Sequence, residues 1–232
     1  LEQLAQQTYG FSGAQLESLV NEAAIYALRE GADEITSRHL SMGLDKVLMG
    51  EMSDKKSSAE ERERVAVHEL GHATAAELLR PGSVSQVCLR PRGAALGYVR
   101  HHEKEDKHLY TRRQIEEQIM IALAGSAAEE LVYGDKSTGA KGDYEQALHL
   151  ARTLVDNGLS RLGIVDLNLL PKETLHQVCQ EILHELYQKT RKLLQEHQES
   201  FQRSLSVLME KEVMEGEEFR MLFRRSLASQ AI

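Results

Sequence analysis

The chain has 232 residues, enough for one large domain or for a medium domain with a small companion. Its net charge of -8, from 28 Lys+Arg against 36 Asp+Glu, argues against a nucleic-acid partner, because a phosphate-binding surface needs clustered cations. The two cysteines, Cys88 and Cys179, form no CxxC pair and read as free thiols of a reducing compartment, and no apolar run is long enough to span a bilayer.

The chain opens without Met, inside an amphipathic pattern, as expected of a fragment whose anchor or targeting signal lies upstream. Residues 1–50 read as a small helical unit. Ser12 and Gln15 form a capping box after the turn at Gly10 to Gly13, and Leu16, Leu19, Val20, Ala23, Ala24, Ala27 and Leu28 then recur at helical spacing. Gly31 stops that helix, and Thr36 caps a second with Leu40, Leu44, Val47 and Leu48 facing inward. Residues 51–58 are polar and aperiodic, a linker.

A long helix is predicted over about 59–79, ended by Pro81-Gly82. Residues 83–101 change character. Val84, Val87 and Leu89, the turn Pro91-Arg92-Gly93, then Leu96, Tyr98 and Val99 predict a small two- or three-stranded sheet. Residues 102–108 are charged and His-rich, a loop. Thr111 caps a helix to about Tyr133, Gly134 to Gly142 form a loop, and a further helix runs from Asp143 to about Asn157. Residues 172–227 read as two or three more helices, with Gly216 breaking the last pair. The expected fold is therefore mainly α: a helical N-terminal unit (1–50), a linker (51–58) and a helical domain (59–232) with a small sheet.

The chemistry is carried by His68-Glu69-Leu70-Gly71-His72, an HExxH motif inside the long helix. Residues i and i+4 share one helical face, so both imidazoles can reach one metal ion, while Glu69 can lie over a metal-activated water as general base. Gly71 costs the helix about 1 kcal/mol relative to Ala and would let another backbone approach closely. The bland alternative is a surface helix with two solvated histidines, which the flanking Val65, Ala66, Val67, Ala73, Ala75 and Ala76 disfavour. A catalytic zinc needs a third protein ligand. Ala75 and Leu78 stand where an HExxHxxGxxH extension would require Gly and His, so the third ligand comes from elsewhere. His101, His102, Asp106, Glu129, Glu130, Asp135 and Asp143 are the candidates. Asp143 follows a flexible loop and begins a helix, so it can be aimed into a cleft, but position alone favours a plain N-cap. A structural metal site is disfavoured, because such sites have four protein ligands and no adjacent glutamate base.

These residues resemble the C-terminal part of the FtsH-type membrane-bound AAA+ zinc proteases, over nearly the whole chain. Thr8 to Ala14 with Leu19 to Ala24 is similar to the start of that family's AAA+ lid. Val65 to Ala73, Leu109 to Arg112, Ala124 to Leu131 and Ser137 to Ala140 are similar to segments of its peptidase domain, and Leu96 to Tyr98 resembles the segment beside its active-site cleft, which implies that the strand pair lies there. The resemblance implies that Asp143 is the third zinc ligand beside His68 and His72, and that Glu129 accepts a hydrogen bond from a ligand histidine. It also implies an ATP-dependent, homo-hexameric enzyme acting on unfolded or membrane-protein substrates. Such an enzyme would be membrane-associated through segments upstream of this chain, with the peptidase domain on the cytoplasmic side or its organellar equivalent. ATP and Mg2+ would be bound largely elsewhere, since the chain contains no GxxxxGK[ST] loop; Gly10 to Ala14 could border the nucleotide or simply cap a helix. The chain departs from the family pattern at Leu70 (usually Ala), at Ser126 (usually Arg), in Ala140-Lys141-Gly142-Asp143 (usually ASND) and in a short stretch after Gly163. A second expectation, a catalytically inactive domain forming the base of a chaperone-like ATPase, would require loss of motif residues that are all present.

Overall fold

A computed structural model describes residues 2–51, 58–93, 95–101 and 109–229. The polar linker therefore lies largely, and the His-rich loop with His102 and Asp106 wholly, outside the described residues. The N-terminal helices are α1 (Glu2–Gln7), α2 (Gly13–Arg29) and α3 (Ser37–Met49). The expected capping box of Ser12 with Gln15 forms on α2, and Thr36 caps α3 as expected, with His39 completing a second box that the sequence reading did not name. The pair packs closely because Gly43 on α3 lies against the backbone of Leu19 and Ala23, where a Cβ would come within 2.7 Å of a carbonyl oxygen. The short α1 was not anticipated from sequence.

The larger unit is built on α4 (Ala59–Leu79) and α5 (Arg112–Tyr133), joined through β1 (Val84–Cys88) and β2 (Tyr98–His101). After α5 come a 3-10 turn (Thr138–Ala140), α6 (Lys141–Asp156), α7 (Lys172–Glu196), α8 (Gln198–Lys211), β3 (Val213–Glu215) and α9 (Gly216–Ser229). Neither α4 nor α5 is a one-faced amphipathic helix, because each is buried on several sides. One core joins Val67, Leu70 and Ala73 of α4 to Ala124 and Ala127 of α5, the sheet, and Leu208 and Phe219 of the C-terminal helices. A second packs Ile115 and Ile119 of α5 against Leu154 of α6 and Val178 and Leu186 of α7. Helix α5 thus belongs to both cores and fixes α4 and α6 relative to one another. Cys88 and Cys179 are free and buried, as expected.

The antiparallel sheet has the order β2-β1-β3, with Val87 opposite both Val99 and Met214. Its third strand corrects the expectation that the sheet comes from residues 83–101 alone. Val213–Glu215 is a three-residue strand between two helices, too short to show an alternating pattern. It pairs because Gly216 brings the chain against Val84, where a side chain would sit 2.0 Å from the carbonyl oxygen.

Candidate metal centre

Helix α4 crosses α5 at Gly71. A Cβ there would meet the Ala124 carbonyl oxygen at 2.4 Å, so the glycine between the two histidines serves the close backbone approach expected of it. The crossing places His68 and His72 over Gly125 of α5. Each imidazole is oriented through Nδ1. His72 Nδ1–H donates to the Ile121 carbonyl at 2.8 Å, and His68 Nδ1–H donates to Glu129 Oε1 at 2.7 Å. These bonds direct both Nε2 atoms into the cleft.

Asp143 completes the cluster from α6. Its Oδ2 lies 3.1 Å from His68 Nε2 and 3.6 Å from His72 Nε2, and the two Nε2 atoms are 3.0 Å apart. Among the described residues, His68, His72 and Asp143 form the one group able to hold a metal ion. The donor set fits zinc. A tetrahedral site with bonds of 2.0–2.1 Å has ligand–ligand edges of about 3.3–3.4 Å, and the observed edges bracket that value. A carbonyl and a carboxylate hold the Nδ1 protons, so both Nε2 atoms face the cleft as sites for a cation, which is a proton on His68 when no metal is bound. Gly125 leaves the space for it: a Cβ at this position would stand 2.5 Å from His68 Nε2 and 2.6 Å from His72 Nε2.

The N-cap reading of Asp143 is not what the structure shows. Helix α6 begins at Lys141 after the 3-10 turn, its capping position is Ala140, and Asp143 lies inside the first turn with its carboxylate on the imidazoles. The other candidates are elsewhere. Glu130 accepts from the Tyr187 hydroxyl at 2.7 Å, Asp135 pairs with Arg64 at 2.9 Å, and His101 lines the cleft on β2 without joining the cluster.

Glu129 is 1% exposed and fully engaged: beyond His68 it accepts from the Ser137 amide and hydroxyl, at 2.9 and 3.1 Å, and from Arg64 at 3.1 Å. Burial would raise its pKa, but these donors outweigh it and hold the carboxyl at about 2. Burial likewise works against ionisation of Asp143, and the two imidazoles nevertheless keep its carboxyl well below the usual range. For His68, desolvation favours the neutral ring, yet the carboxylates of Asp143 and Glu129 push it up to about 9 without a metal. Burial pushes the Glu69 carboxyl up, against the opposing pull of His72 and His68. That raised basicity suits a group that accepts a proton from water.

Glu69 borders a cleft of about 1380 Å³ that also holds His68, His72 and Asp143. The hairpin residues Leu96 to Val99 form one wall, so the strand pair lies beside the site as expected. Gly97 permits the contact, since a Cβ there would come 3.0 Å from Glu69 Cγ. Two residues at which this chain is unusual, Leu70 and Ser126, stay out of the cleft wall. Leu70 is fully buried in the core, and the Ser126 hydroxyl donates to the Leu123 carbonyl at 3.0 Å.

Three contributors escaped the sequence reading. Gly125 gave the same signal as Gly71, a glycine costing about 1 kcal/mol inside a helix. Arg64 precedes His68 by one turn and so shares its face. Ser137 is positioned by the turn after α5 and gives no local sign of its role.

An HExxH helix crossing a second buried helix, with a carboxylate delivered from a third and an open cleft beside a short strand, defines the class of zinc-dependent metallopeptidases. Residues 55–222 match the model of Peptidase family M41, and the chain belongs to that family. Residues 1–42 match an AAA+ lid domain. Among curated relatives, the ATP-dependent zinc metalloprotease FtsH of Thermus thermophilus is 38% identical over 239 residues, covering 94% of this chain and 38% of the relative. The ATP-dependent zinc metalloprotease FtsH of Thermotoga maritima is 35% identical over 244 residues, covering 95% of this chain and 40% of the relative. The chain thus spans about two fifths of the length of these relatives.

Proposed function

We propose that this chain is the peptidase part of an ATP-dependent zinc endopeptidase, with His68 Nε2, His72 Nε2 and an Asp143 carboxylate oxygen as the metal ligands. The observation that carries the reading is the convergence of these three atoms, with edges of 3.0 to 3.6 Å, on the space that Gly125 leaves open. When bound, zinc would supply a Lewis acid that polarises the scissile carbonyl and acidifies a water molecule. Glu69 takes the proton of that water and passes it to the leaving amine. Glu129 holds the His68 ring and its tautomer, with Arg64 and Ser137 keeping the carboxylate ionised and in place. Ile121 does the same for His72 through its carbonyl. The outer edge of β2 offers backbone donors and acceptors along which an extended polypeptide can lie.

Residues 1–50 would be the lid of an ATPase module, 51–58 the link and 59–232 the peptidase domain. The names of the relatives and the lid match support an ATP-driven whole protein, with ATP and Mg2+ bound chiefly by segments beyond this chain. Unfolded proteins or membrane proteins as substrates, a homo-hexamer and a membrane-associated position with the peptidase facing the cytoplasm belong to the same reading and rest on family resemblance. Among the described residues, no helix is long and apolar enough to cross a membrane. An inactive scaffold finds no support, since every group of the catalytic set is present. The test is cleavage of casein by the intact protein with ATP. Turnover that a zinc chelator abolishes and added zinc restores is expected; turnover indifferent to chelation would refute the reading.

A further inference from the structure

The wall of the cleft is tied to the N-terminal helices through a buried charge cluster that the reaction does not use. Asp45, on α3, is 8% exposed, and its Oδ1 accepts from Arg100 of β2 at 2.8 Å. Its Oδ2 lies 3.5 Å from the guanidinium of Arg92, in the turn between β1 and β2. Arg92 and Arg100 are 5% and 4% exposed, so one carboxylate stands between two desolvated cations. The backbone fastens the same junction: the Gly93 amide donates to the Glu51 carbonyl at 2.9 Å, and a Cβ on Gly93 would meet the Met49 carbonyl oxygen at 2.8 Å. Arg100 is reinforced from its own sheet, where its Nε donates to Ser85 Oγ at 3.4 Å. The segment so anchored is the one that borders the metal centre. Gly97 touches Glu69, and β2, the outer strand of the sheet among the described residues, lines the cleft.

We infer that Asp45 is a positioning residue for substrate, anchoring β2 through Arg100 and Arg92 so that the cleft is complete only with α3 docked. The inference rests on the peptidase reading and adds a contribution from outside the stretch that matches the peptidase family. Removing the Asp45 charge takes away the one carboxylate that, among the described residues, hydrogen-bonds both buried guanidiniums, and the cheapest relief is for the hairpin to move away from α3. That displaces the strand edge and spares the ligands, which are held by α4, α5 and α6. An extended peptide that lies along β2 loses its template, whereas a minimal peptide engaging only the metal and Glu69 does not.

The experiment compares the zinc-loaded intact protein with Asp45→Asn, using a fluorogenic peptide long enough to pair with β2 and a minimal one spanning only the scissile bond. The expected result is a KM at least about tenfold higher for the long peptide, with kcat for both peptides and zinc content within about twofold of wild type. Asp45→Glu, which restores the charge, should recover most of the loss. In an Arg100→Met background Asp45→Asn should have a much smaller effect, as required of residues acting through one another. An unchanged KM for the long peptide, or an equal loss for both peptides at full zinc content, would overturn the inference. Should Asp45→Asn fail to fold, Arg100→Met decides in its place: a KM rise confined to the long peptide at wild-type zinc content supports the inference, and an unchanged KM for that peptide refutes it. A wild-type protein that cleaves neither peptide would bring down the peptidase reading itself, whereas normal cleavage insensitive to Asp45 removes only this inference.

Discussion

Replacing Gly125 by Ala separates a metal centre from a coincidence of histidines, because only a metal centre predicts the loss of a zinc-dependent gain in stability. In the interior of α5 the substitution improves helix propensity by about 1 kcal/mol, whereas the steric cost of the new methyl group falls on the fold with or without a metal, so the discriminating quantity is the stability that zinc adds. The new methyl group, however, would stand 2.5 to 2.6 Å from His68 Nε2, His68 Cε1 and His72 Nε2. The imidazoles must swing away, which breaks the 2.7 Å bond to Glu129 and the 2.8 Å bond to Ile121 and moves both Nε2 atoms beyond the roughly 0.2 Å tolerance of zinc coordination. Loss of an orienting partner alone costs about 10–100-fold in affinity, so displacing two ligands should cost at least the upper figure. At zinc a thousandfold above the wild-type Kd, binding stabilises the fold by about 4.1 kcal/mol, and a hundredfold weaker site retains only about 1.4. The difference of about 2.7 kcal/mol corresponds to a zinc-dependent Tm increment lower by roughly 5–10 °C for a protein of this size. Thermal melts with and without zinc, together with competition against a chromophoric chelator, read both quantities. Wild-type zinc affinity in Gly125→Ala would refute the placement of the metal between these rings.

Asp143→Asn should be silent if the residue merely begins a helix, since Asn caps as well as Asp; as a ligand it should weaken zinc binding strongly, measured by the same competition. Glu69→Gln should bind zinc normally and lose about 10²–10⁴-fold in peptide turnover, because the amide keeps the shape but accepts no proton; substantial residual turnover would assign the base elsewhere. Metal-free His68 titrates at about 9 and is protonated at neutral pH, so zinc must displace its proton. Calorimetry in buffers of differing ionisation enthalpy at pH 7.5 should detect about one proton released, with affinity rising as pH approaches 9 and levelling off above it; equal affinities at pH 7 and pH 9 would contradict this.

The local events were legible because local chemistry decides them. Ser12, Thr36 and Thr111 cap their helices as their side chains dictate, and the spacing of His68 and His72 places both rings on one face. What the sequence concealed was set by distant segments. Nothing in Lys141-Gly142-Asp143 reveals that a 3-10 turn starts α6 early and swings the carboxylate past the capping position on to the imidazoles; family resemblance had to supply that role. Met214 becomes a strand residue only because Gly216 lets the chain close on Val84. The burial of Arg92 and Arg100 was equally hidden, since their counter-charge, Asp45, lies on the far side of the linker.

The most direct test of the central claim is anomalous diffraction at the zinc absorption edge from crystals of the zinc-loaded protein. A single strong peak is expected with His68 Nε2, His72 Nε2 and one Asp143 carboxylate oxygen each about 2.0–2.2 Å away and Glu69 facing the open coordination position. A peak coordinated by Glu129 or Glu130 in place of Asp143, or no peak between the two imidazoles, would contradict it.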